Sequence, residues 1–93
     1  MKVTETASDL ALLIAVLSSL KNVVIPSKWV IFGEVGLAGE IRPVQHGQER
    51  LKEAAKHGFT RAIVPKANVG HQSLDMEITG VQTLQEVLTH VFA

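Results

Sequence analysis

Apolar residues fall along this chain in three rhythms, and each predicts a different element. From Leu10 to Leu20 almost every position is apolar, interrupted only by Ser18 and Ser19. Thr6 followed by Asp9 supplies an N-terminal capping signal just before this run, so the pattern predicts a first helix over Ala7–Leu20. A helix apolar on nearly every face is expected in the middle of a domain rather than on its surface. Val23–Pro26 reads as a connection, because Pro26 has no amide donor and disfavours helix at Ile25. A strand is predicted over Trp29–Val35, then a glycine-rich turn, then a second strand from Ile41. Gln48–His57 has helical spacing, with Leu51, Ala54 and Ala55 on one face, Lys52, Glu53 and Lys56 largely on others, and Gly58 as the stop. Arg61–Val64, ended by Pro65, and Met76–Val81 read as further strands. The last segment opens with Thr83 and Glu86 as a capping box and then repeats Leu84, Val87, Leu88, Val91 and Phe92 at helical intervals.

Strands alternating with helices predict an α/β fold, with a mixed, largely parallel sheet and three helices. At 93 residues the chain is expected to form one domain over 1–93, of modest stability because so small a domain buries a reduced fraction of its surface. The pattern contains no repeat, low-complexity tract or internal boundary.

Composition narrows the possible functions. With 46% hydrophobic and 19% charged residues and a net charge of +0, the chain is expected to fold, and it lacks the excess of Lys and Arg that a broad polyanion-binding face requires. Any nucleic-acid contact must come from a local patch. The absence of cysteine excludes disulfides, a thiolate nucleophile and thiolate metal ligands, and fits a reducing, cytoplasmic setting. The apolar run at Leu10–Leu20 is shorter than the about 20 residues a bilayer crossing needs, so no membrane partner is expected.

Candidate chemistry is sparse. Gly33, Gly36 and Gly39 recur every third residue, but a strand follows them where a dinucleotide site would need a helix; a turn is the better reading, and no nucleotide site is assigned. His46, His57, His71 and His90 lack the tight spacing of a metal motif, so no metal site is assigned, and His57 suits a helix C-terminus. Arg42, Arg50, Lys52, Lys56, Arg61 and Lys66 are the one basic concentration and the DNA-binding candidates; Lys52 and Lys56 are i, i+4 neighbours, with Glu49 and Glu53 interleaved as on an ordinary solvated helix face.

The order strand, turn, strand, helix in GEVGLAGEIRPVQHGQERLKEAAKHGFTRAIVPKANV, from Gly33 to Val69, resembles the C-terminal part of a Lon-type serine-lysine protease domain, a ribosomal protein S5 domain 2-like fold. Within that group the chain is similar to the C-terminal domain of the RadA (Sms) family of bacterial DNA repair proteins. The resemblance implies a Ser-Lys dyad, in which a lysine of lowered pKa takes the serine proton. Aligned on Gly33-Glu34 and Pro43, the serine position falls on Ala7 within TASDLA and the lysine position on Arg50 within HGQER, so both halves of the dyad are missing. A guanidinium stays protonated and cannot act as the base. A one-residue slip puts Ser8 at the nucleophile position without a matched base, and a hydroxyl in the first turn of a helix ordinarily bonds local backbone.

The resemblance further implies a noncatalytic scaffold in a recombination ATPase whose full-length members carry a zinc module and a RecA-like ATPase and promote branch migration. Self-association into a hexameric ring and DNA contact are the implied partners. No Walker G-K-[ST] sequence or four-cysteine module occurs here, so ATP, Mg and Zn are expected only elsewhere in a full-length relative, itself a DNA-dependent ATPase. The start MKVTETASD resembles a point inside the domain, as at a fragment boundary. The rival readings are a serine peptidase using Ser8 and a stand-alone protein-interaction module.

Overall fold

The computed structural model describes residues 6–70 and 74–92, Thr6 by its backbone alone. A 3-10 turn at Thr6–Ser8 leads into α1 (Asp9–Lys21), followed by β1 (Trp29–Ile31), β2 (Glu34–Val35), β3 (Ile41–Arg42), α2 (Gly47–Lys56), β4 (Arg61–Pro65), a 3-10 turn at Lys66–Asn68, β5 (Glu77–Val81) and α3 (Leu84–Phe92). Strands β1, β4 and β5 pair in that spatial order as a parallel sheet, and β2 and β3 form a separate antiparallel hairpin. This is the α/β arrangement with three helices that the alternating pattern predicts. The first five residues of the MKVTETASD start and the position of His71 lie outside the described residues.

Side chains along β4 point alternately to the two faces of the sheet and so divide the core. Ile63 joins Leu10, Ile14, Ile41, Val81 and Val87 on the face covered by α1 and α3. Ala62 and Val64 join Phe32 and Leu51 on the opposite face, under α2. The α3 capping box forms as the sequence predicts: Glu86 Oε1 accepts from the amides of Gln82 (2.5 Å) and Thr83 (3.1 Å), and the Glu86 amide donates to Thr83 Oγ1 at 3.2 Å.

Three expectations need correction. The strand expected over Trp29–Val35 is broken at Phe32-Gly33, so β1 stays in the sheet while Glu34 and Val35 pair with β3. Gly33 has φ +154, and a Cβ there would lie 3.1 Å from Ile41 Cγ2, 3.3 Å from Leu10 Cδ2 and 3.3 Å from Pro65 Cγ; the chain leaves the sheet where only glycine fits. The helix cap differs as well. Ser8 is the N-cap and makes no side-chain capping bond. Backbone bonds from Leu10 N to the Gly33 carbonyl (3.0 Å) and from Gly33 N to the Ala7 carbonyl (2.9 Å) hold the helix start instead. Finally, α1 does not run through the middle of the molecule. Leu10 and Ile14 are buried, but Leu12, Val16 and Leu20 are exposed, because the sheet covers one side of the helix and no described element covers the other.

Candidate functional site: a cleft at the edge of β1

Among the described residues β1 is the edge strand of the order β1-β4-β5, with α1 over one face of the sheet and α2 over the other. A cleft of about 420 Å³ wraps around this edge. The start of α1 contributes Ala7, Ser8 and Ala11; the β1 region contributes Val30, Ile31 and Phe32; α2 contributes Arg50, Glu53 and Ala54, with His57 and Phe59 just beyond it. The walls are largely apolar, and the polar groups are Ser8, Arg50, Glu53 and His57. Ala7 and Arg50, which the resemblance places at the dyad positions, line the same cleft although 43 residues apart in sequence, and Ser8 lines it too. Lys52 and Lys56 do not line it; both are exposed on α2.

Arg50 is held in place. Its Nε donates to the Gln45 carbonyl at 3.2 Å, and its guanidinium lies 6.0 Å from the centroid of the buried Phe32 ring, within cation–π range. Buried Ala7 offers no nucleophile. Opposite it, His57 Nε2 and Glu53 Oε2 are 2.9 Å apart, an exposed i, i+4 pair. The spacing Glu53-x-x-x-His57 is visible in the sequence, but only the fold turns it toward a cleft shared with Ser8.

The remaining basic candidates are spread over several elements. Arg42 donates from Nε (3.0 Å) and Nη2 (2.6 Å) to Glu40 Oε2 on the β2–β3 hairpin. The Glu40 carboxyl is held below its ordinary pKa by its own backbone amide first and then by Arg42, with a further amide bond from Ala38. Arg61, at the start of β4, lies 4.6 Å over the Trp29 ring, and its Nη2 is 3.4 Å from both Thr79 Oγ1 and His90 Nδ1. Lys66 is exposed beyond the other end of β4. Lys52 and Lys56 alone among the candidates share one helix face.

One positioning residue was invisible in the sequence pattern. Asn68 Oδ1 accepts from Val44 N at 2.8 Å, Asn68 Nδ2 donates to the Val44 carbonyl at 3.0 Å, and Gln48 Nε2 donates to the Asn68 carbonyl at 2.5 Å. These bonds clip the lead into α2 to the turn after β4 and so set where α2 presents Arg50 and Glu53. A Cβ at Gly47 would collide with the Asn68 side chain, which explains a glycine at the first residue of α2. Among the described residues no three or more His, Asp or Glu side chains stand together to hold a metal, and no helix is long and apolar enough to cross a membrane.

Residues 1–68 match the family described as Subunit ChlI of Mg-chelatase, and the chain belongs to that family. Its similarity to individual proteins runs further along the sequence. It is 61% identical over 89 residues to the DNA repair protein RadA of Escherichia coli (strain K12), covering 95% of this chain and 19% of that protein. Against the RadA of Pseudomonas aeruginosa it is 54% identical over 92 residues, 98% of this chain and 20% of the relative. Against the RadA of Aquifex aeolicus it is 51% identical over 82 residues, covering 88% and 17%. Homology to RadA thus covers nearly the whole chain, while the chain spans about a fifth of the length of these relatives.

Proposed function

We propose that this chain is a noncatalytic, Lon-like scaffold domain of a RadA-type DNA repair ATPase, contributing subunit contacts to an oligomeric ring and a local DNA contact during branch migration. The observation that carries the reading is the composition of the cleft. Its residues include Ala7 and Arg50 where a Ser-Lys dyad would need a hydroxyl and an amine that can lose its proton. Identity of 61% to a DNA repair protein supports the RadA-type role. In this reading the protein is cytoplasmic, and ATP, Mg and Zn serve other parts of a longer protein. The DNA contact falls to Lys52 and Lys56, exposed together on α2.

Two assays test it. Incubation with peptide substrates and a serine-reactive fluorophosphonate should give no turnover and no label; turnover abolished by Ser8→Ala would overturn the noncatalytic reading in favour of the peptidase. Titration of labelled duplex and branched DNA across a salt series should show binding whose affinity falls as salt rises, with a log–log slope of about −0.9 per phosphate contact on duplex. Lys52→Ala with Lys56→Ala should flatten that slope. Salt-independent binding, or none at low salt, would remove the DNA contact and leave assembly.

A further inference from the structure

We propose that His90 is a proton-operated latch with two positions: neutral, its ring ties the end of α3 to Arg61 at the start of β4; protonated, it leaves Arg61 for the last carbonyls of α3. The chemistry of the pair sets the first position. A guanidinium has only donors and stays protonated, so at 3.4 Å from Arg61 Nη2 the Nδ1 of His90 can only accept. Neutral His90 therefore carries its proton on Nε2. A second proton must go to Nδ1, where it turns the acceptor into a donor and sets an imidazolium against a guanidinium.

Arg61 is the fixed half of the pair. Its Nη2 also lies 3.4 Å from Thr79 Oγ1, its guanidinium is stacked 4.6 Å over the Trp29 ring, and its buried Nε has no partner. His90 is the movable half, exposed in the last turn of α3, where a helix leaves carbonyls without amide partners. Those carbonyls and the negative end of the helix dipole attract a cation, so a ring that loses Arg61 has a second site within reach. Nearby charges do not offset the repulsion. On the elements packed about α3, β4 carries Arg61, β5 carries Glu77, and α1 carries Lys21 in its last turn and Asp9 in its first, at the far end. Lys21 Nζ lies 5.6 Å from the Phe92 ring centroid and adds a second cation to this end of the domain. Glu77, the register partner of Arg61, is exposed and, among the described residues, forms no ion pair with Arg61 or His90. Glu86, one turn before His90, is engaged by the amides of Gln82 and Thr83.

Trp29 is the sole tryptophan of the chain and lies under the Arg61 guanidinium, so its fluorescence reports the exchange. Histidine-ring NMR and Trp29 fluorescence, titrated from about pH 8 to about pH 5, test the latch across the range in which imidazoles ordinarily change charge. The expected result is a His90 ring protonated on Nε2 at the upper end, and a one-proton change in Trp29 emission that coincides with the His90 ring titration. Circular dichroism should stay constant over the same range, which separates the latch from acid unfolding. His90→Gln keeps an acceptor for Arg61 but takes no proton, and at this exposed site it should abolish the Trp29 transition while leaving the emission at the upper end unchanged. A neutral ring protonated on Nδ1, a flat Trp29 emission, a fall in circular dichroism that tracks the emission, or a transition that survives in His90→Gln overturns the proposal.

Discussion

Helices α1 and α2 border the same cleft but meet the rest of the molecule differently. In α2, Leu51 and Ala54 are buried while Glu49, Lys52, Glu53 and Lys56 face outward, so the division of apolar and polar positions states which side packs. In α1, Leu10 and Ile14 point into the core while Leu12, Val16 and Leu20 point away from it. Both sides of α1 are apolar, and its pattern carries no phase. Periodicity predicts the orientation of a helix only when one side is polar; a uniformly apolar helix takes its orientation from whichever surfaces are present.

Core truncations should separate the two faces of α1 most sharply. Ile14→Ala, and Leu51→Ala beneath α2, are each expected to cost about 2–5 kcal/mol in denaturant unfolding, since each removes a fully buried side chain. Leu12→Ala should stay within about 0.5 kcal/mol at concentrations where the chain is monomeric. A Leu12→Ala cost equal to that of Ile14→Ala would erase the distinction between the faces. Next in size, Asn68→Ala leaves the Val44 amide and carbonyl without their side-chain partners and should cost about 1–3 kcal/mol. Unlike the core truncations, it should loosen α2 selectively, seen as faster amide exchange over Gly47–Lys56 than in α1. Thr83→Ala removes the hydroxyl of the α3 capping box and should cost about 1 kcal/mol, leaving both cleft helices unchanged.

The smallest expected effect is on pH dependence, and it lies outside both cleft helices. The Glu40 carboxyl is held low by its own backbone amide and by Arg42, and the Glu86 carboxyl by the amides of Gln82 and Thr83. A carboxyl whose folded pKa is depressed adds stability that is fully present above the unfolded value, about 4.3 for Glu, and lost as pH falls through the folded value. Stability should therefore fall on acidification below about pH 4.3, and Glu86→Gln should make that fall shallower. Equal acid profiles for the parent and Glu86→Gln would remove Glu86 from this account.

Sequence alone determined the elements whose signals are local. Periodicity in Gln48–His57 and Leu84–Phe92, the Thr83/Glu86 box, and the stop at Gly58 each depend on residues within one or two helical turns, and the structure realises them nearly residue for residue. Resemblance to a known pattern also singled out Ala7 and Arg50, which line one cleft. Tertiary structure decided the rest. The break at Gly33 depends on contacts with Leu10, Ile41 and Pro65, the placement of α2 depends on Asn68 reaching back 24 residues to Val44, and the pairing of Arg61 with Trp29 depends on strand register. The exposure of one side of α1 was decided in the same way. Local bonding is written in local sequence, whereas packing depends on which distant surfaces arrive, and an apolar residue is compatible with any of them.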